Sequence, residues 1–188
     1  MLCDGSGHEL VNSFALVTYI PDPLGKFLDD LRRELAPGCI PHAHVTILPP
    51  RALSATPREA TETVRAFVSG FRQFEIEASH VEIFPVTQVV YITVGEGRRR
   101  LIEMHQAMSA GNLAYSEPFP YEPHITLAHD LTQQPAAELA AIARRRWSEY
   151  RYPRTFTVES LVFVRNTAKN VWVDLAHFQL EPALSVHR

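Results

Sequence analysis

The sequence predicts an α+β fold of two pseudo-symmetric lobes, each an antiparallel sheet with flanking helices, around a central groove. Three observations predict it. Short β-branched segments alternate with segments of helical periodicity. The order strand, helix, strand, helix, strand pair occurs twice in tandem. Each copy carries the same tripeptide pattern, His44-Val45-Thr46 and His124-Ile125-Thr126, 80 residues apart. Two copies of so long a unit read as a duplicated lobe, since a solenoid needs three or more. Strands this short, separated by turns, favour antiparallel pairing.

Residues 1–12 (MLCDGSGHELVN) read as a flexible lead-in, without the basic-then-apolar order of a signal peptide, and residues 13–188 as one bilobal domain. Phe14–Ile20 is a strand rich in aromatic and β-branched residues. Leu24, Phe27, Leu28, Leu31 and Leu35 then recur at helical spacing, and Pro37-Gly38 closes that helix. His42–Leu48 is the first motif strand. Thr56-Pro57-Arg58-Glu59 starts a helix, with threonine as cap, proline in the first turn and glutamate completing a capping box; it should run to about Ser69. Phe74-Glu75-Ile76-Glu77 follows, and then the strand Val89–Val94.

That strand, Val89–Val94, also opens the second copy, which repeats this order. Leu101, Met104, His105 and Met108 mark a helix that stops near Gly111, and Pro123–Leu127 is the second motif strand. A helix runs from Thr132 to about Tyr150, with Leu139, Ile142 and Trp147 on one side. Phe156-Thr157-Val158-Glu159 parallels residues 74–77. The chain closes on a hairpin whose turn lies in Asn166–Asn170 and whose last strand includes Val171–Leu175.

Composition narrows the partners. Hydrophobic residues are 46% and charged residues 21% of the chain, the formal net charge is −3, and the pI is about 6.3. A protein that grips long duplex nucleic acid through its phosphates needs a basic surface. Here the basic clusters, Arg98–Arg100 and Arg144–Arg146, are short and sit in helical patterns as solvated faces. RNA ends or small nucleotides suit this balance better. No apolar run approaches the ~20 residues of a bilayer crossing, so no membrane partner is expected. Cys3 and Cys39 imply no disulfide framework, and a cytoplasmic setting is the default. The complete repeat and modest charge predict a monomer.

In a strand, residues i and i+2 share a face, so each histidine projects with its threonine while Val45 or Ile125 points away. The imidazole titrates near 6.5, so one copy can accept a proton while the other donates one. Each threonine hydroxyl can donate to a non-bridging phosphate oxygen. Four such groups suit acid–base chemistry at phosphorus, with no cofactor and no metal. One His-x-Thr alone would be unremarkable in a chain with nine histidines; two, at equivalent places of a repeat, are not.

The doubled motif and its surroundings resemble the 2H phosphoesterase superfamily, which includes the RNA 2′,3′-cyclic phosphodiesterases also called 2′-5′ RNA ligases. The matching pieces are FALVTYIP, HVTILPP, IFP with VVYITV, EPHITLA, and the closing VFVRN and VWVDLAHFQL. The resemblance implies a metal-independent phosphodiesterase acting on 2′,3′-cyclic ends, with 2′-5′ linkages also open. It implies His44, Thr46, His124 and Thr126 as catalytic, His124 activating water and His44 protonating the leaving oxygen. Arg51 and Arg165, the latter at a hairpin turn, are candidates to meet phosphate, Tyr121 and Tyr91 to stack a base, and His42 to flank the groove. His129 is expected on the opposite face. His80, His105, His177 and His187 belong to no pattern.

Two other readings compete. The His42-Ala43-His44 pair could share a metal, although no third ligand follows at short spacing. The same fold could hold RNA ends or a nucleotide without turning it over.

Overall fold

The computed structural model describes residues 9–129 and 134–183. Its elements are β1 (Leu10–Tyr19), α1 (Leu24–Leu35), β2 (His44–Arg51), α2 (Pro57–Val68), β3 (Phe74–Ile83), β4 (Val90–Val94), α3 (Arg98–Met108), β5 (His124–Ala128), α4 (Ala136–Glu149), β6 (Thr155–Val158), β7 (Ser160–Thr167) and β8 (Trp172–Gln179). A short 3₁₀ turn, Gly111–Leu113, follows α3.

Each helix buries one stripe. Leu24, Leu28, Leu31 and Leu35 are the buried face of α1, and Ala60, Val64 and Val68 that of α2. The capping box at Thr56 and Glu59 forms as the sequence predicts, satisfying two donors that the first turn of α2 would otherwise leave open. Gly97 joins β4 to α3 at a φ of +81°, and a Cβ there would stand 2.4 Å from the Glu75 carbonyl oxygen. The strands alternate instead: Val90, Ile92 and Val94 of β4 are buried, while Tyr91 and Thr93 face the other way.

The strands form two four-stranded sheets, ordered β2-β1-β7-β8 and β5-β4-β3-β6, with every ladder antiparallel. The two lobes are not the two halves of the chain. β3 leaves the first copy to pair with β4, and β7 and β8 leave the second copy to complete the sheet of β1 and β2. The helices also cross over, α1 lying against β5 and α3 against β2. One hydrophobic core accordingly runs through both lobes, from Leu16 and Leu28 to Ile92, Met104 and Phe163. Among the described residues no helix is long and apolar enough to cross a membrane.

Several boundaries differ from the sequence reading; the first motif strand, expected over His42–Leu48, spans His44–Arg51. β1 begins at Leu10, inside the expected lead-in. The polar stretch around Asn12 hides the strand, but Leu10 pairs with Thr167, and Asn12 exchanges hydrogen bonds with the Leu53 backbone. The helix expected from Thr132 is described from Ala136, with Pro135 extended before it; Thr132 lies outside the described residues. The turn of the β7–β8 hairpin falls where expected, with Asn170 at a φ of +58°, a conformation asparagine tolerates.

Candidate active site

β2 and β5 adjoin one another across a groove of about 700 Å³. On their inner faces Val45, Ile47, Ile125 and Leu127 are buried in the core. On their outer faces His44, Thr46, His124 and Thr126 line the same groove. The period of two thus delivers one imidazole and one hydroxyl from each copy.

The two histidines are held alike. Nδ1 of His44 bonds the carbonyl oxygen of His42, and Nδ1 of His124 that of Glu122, both at 2.7 Å. A carbonyl only accepts, so Nδ1 carries the hydrogen in each ring. In the neutral form Nε2 is therefore the basic nitrogen in both copies. Burial, above all, lowers both imidazoles from their ordinary value, His44 to about 4; Arg32, His42 and the charge on His124 add to the effect at His44. The Glu122 carboxylate and the bond to its carbonyl hold His124 up against that trend. Phe84 and Tyr91 meet the His124 ring edge-on, with centroids 5.0 and 5.4 Å away, and fix its plane.

The other candidates divide. Tyr121 lines the groove; its hydroxyl donates to the Thr46 carbonyl at 2.7 Å and its ring stacks on His105 at 3.9 Å. Tyr91 stacks on Phe84 behind His124 and is not part of the lining. His42 stacks on Tyr19 beside the groove, and it serves His44 through its backbone carbonyl. Arg51 and Arg165 are not brought to the groove. β2 continues through both prolines, so Arg51 is its last residue, and its guanidinium turns inward to bond Glu117 at 2.5 Å and the Leu113 carbonyl at 3.0 Å. Arg165 lies within β7, not at the turn; it covers the Phe14 ring at 5.0 Å and donates to the Val11 carbonyl. His129, expected on the opposite face, lines the groove because β5 ends at Ala128 and the alternation stops there.

Several groove residues carry no repeat signal in the sequence. Glu117, Phe119 and Glu122 arrive from the α3–β5 connection, and His105 of α3, not itself part of the lining, stacks on Tyr121 behind it. His105 bonds the Ile47 carbonyl at 2.8 Å, and its Nε2 lies 3.6 Å from Glu117. The one hint was the run Tyr115-Ser116-Glu117-Pro118-Phe119-Pro120-Tyr121, whose alternating rings and prolines suit a wall rather than a core.

The Arg51–Glu117 pair should be structural. The Arg51 side chain is buried, at 1% exposure, and that of Glu117 is largely covered, at 15%, on the groove wall. Arg51→Met should cost about 3 kcal/mol in a urea titration, because it leaves the carboxylate uncompensated. A loss well under 1 kcal/mol would mean that the pair is not needed there.

A model of the 2′-5′ RNA ligase superfamily matches residues 20–170. A protein named as a phosphoesterase in Oceanobacillus iheyensis is 32% identical over 74 residues, 39% of this chain and 43% of that protein. Another so named, in Geobacillus kaustophilus, is 24% identical over 138 residues, 69% of this chain and 74% of that one. The match thus spans less than half the length of the first of these relatives. Among solved structures, apo LigT of E. coli has a TM-score of 0.61 at 16% identity, covering 90% of this chain and 98% of that one. LigT was also solved with 3′-AMP, with a TM-score of 0.62 at 15% identity and the same coverage. These structural likenesses establish the two-lobed α+β fold. With the family model covering most of its 188 residues, the chain belongs to the 2′-5′ RNA ligase superfamily.

Proposed function

We propose that the groove is a phosphodiesterase site acting on 2′,3′-cyclic phosphates of RNA ends or nucleotides, by acid–base exchange between His124 and His44 and without a metal. The observation that carries this reading is the matched pair of imidazoles. Each is held in the same tautomer and each enters one groove beside its threonine. The 3′-AMP complex of LigT supports a nucleotide substrate by likeness of fold.

In this mechanism Nε2 of His124 takes a proton from water as the water oxygen bonds to phosphorus. Thr46 and Thr126 donate to the non-bridging oxygens, where charge builds. Nε2–H of His44 gives its proton to the 2′ or 3′ oxygen as the P–O bond breaks. One cyclic diester and one water become one phosphomonoester. Solvent then carries the proton from His124 back to His44.

The lowered imidazoles set the pH dependence. In the free protein both are neutral near pH 7, yet turnover needs one proton on the pair. A bound phosphodiester anion favours the imidazolium and raises the pair. The bell of kcat/KM, which reports the free protein, should therefore centre below 6.5 and fall as pH rises through neutrality. The bell of kcat, which reports the complex, should sit at higher pH. A kcat/KM that climbs between pH 6 and 8 would contradict this.

The direct test is hydrolysis of adenosine 2′,3′-cyclic phosphate in excess EDTA. Among the described residues no three His, Cys, Asp or Glu side chains gather as a metal site, and undiminished turnover is expected. Loss on chelation, restored by one divalent ion, would move the chemistry to metal-assisted hydrolysis. No turnover, with tight binding that survives loss of both histidines, would make this a binding module.

A further inference from the structure

The walls of the groove suggest which phosphodiesters it accepts, given that it is a phosphodiester site. One wall is Phe84-Pro85-Val86 in the β3–β4 connection; the other is Pro118-Phe119-Pro120 before β5. Three large apolar side chains that the molecule leaves exposed stand on this lining: Val86 at 77%, Phe119 at 50% and Tyr115 at 44%. An apolar patch of this kind marks a surface that a ligand covers.

Among the described residues, the charged members of the lining are the titratable histidines and two carboxylates, Glu117 and Glu122. The guanidinium groups nearest these carboxylates are already committed. Arg51 bonds Glu117 at 2.5 Å, and Arg98 grips Glu122 with two bonds of 2.7 and 2.6 Å. Arg32 on α1 is felt by His44 but is not part of the lining, and Asp29 opposes its charge. A single phosphate charge meets the imidazolium and two hydroxyls. A second phosphate would meet carboxylates already paired with Arg51 and Arg98 and exposed apolar walls, and would find no lysine or arginine among the described lining residues.

We propose that the groove selects singly charged phosphodiesters with an uncharged body whose flat face can lie on the apolar walls, such as a nucleoside cyclic phosphate. Substrates carrying further phosphates are disfavoured, pyrophosphates and RNA ends alike, since the last nucleoside of an RNA end bears a 5′ phosphodiester; this narrows the proposed substrates to free nucleoside cyclic phosphates. The discriminating feature is that no lysine or arginine stands among the described lining residues to meet a second phosphate, and the apolar walls hold the uncharged body.

Three compounds with the same scissile ring test this: adenosine 2′,3′-cyclic phosphate, its 5′-O-methyl ether and its 5′-phosphate. The ether should match the parent. The 5′-phosphate should lose about tenfold in kcat/KM at low salt, mostly through KM. Val86→Lys, which places a cation on the exposed rim, should narrow that gap. Calorimetry with the His124→Ala protein should show the same order of binding. Equal kcat/KM for all three, or a preference for the 5′-phosphate, overturns the proposal and leaves the catalytic reading intact. An equal loss with the ether assigns the effect to bulk and also overturns it. If no compound is turned over but the binding order holds, the catalytic reading fails and the charge preference stands.

Discussion

His124→Ala should lower turnover of a 2′,3′-cyclic phosphate by on the order of 10²–10⁴-fold, and His44→Ala should do the same. The protein should stay folded, because both rings face the groove while the core beneath them is Val45, Ile47, Ile125 and Leu127. The two losses should differ in kind. A nitrophenyl phosphodiester has a leaving oxygen that needs no proton, so it should restore rate to His44→Ala and not to His124→Ala. Rescue of His124→Ala alone would reverse the roles of acid and base. Near-normal turnover of a cyclic phosphate by both variants would show that these histidines are not the catalytic pair.

Thr46→Val and Thr126→Val should each lower kcat by on the order of 10²-fold, the usual cost of one donor at a developing oxyanion. Valine keeps the shape and the β-branched preference for a strand, so the sheets should be undisturbed. Kinetics separate this role from simple binding. A donor used mainly in the transition state lowers kcat and kcat/KM together, whereas one used equally in both states raises KM alone. A rise in KM alone at both positions would make the threonines substrate anchors.

The motif strands were legible because their signal is local and written twice. A period of two and a repeat of 80 residues suffice to put His44, Thr46, His124 and Thr126 on matching faces. Helix α2 was legible down to its cap, since Thr56 and Glu59 act within one turn. Arg51 and Arg165 show where this kind of reading ends. Whether a guanidinium meets solvent, phosphate or a buried partner depends on residues far along the chain, here Glu117 for Arg51 and Phe14 for Arg165. Glu122 was hidden for a similar reason. It serves His124 by its backbone carbonyl, a group that every residue has. The exchange of strands between copies was also out of reach, because the repeat gives the order of elements and not their partners.

That exchange ties the first motif to the end of the chain. β1, which holds β2 on one edge, is held on its other edge by β7, and β7 by β8. During synthesis the ribosome releases His44 and Thr46 long before the residues of β7 exist. Until β7 and β8 arrive, β1 has an open edge and the first lobe lacks half its sheet. Such distant pairing makes for slow, late assembly. The sheet that presents the first histidine is therefore finished only by the last strands of the chain, long after both motifs have been made.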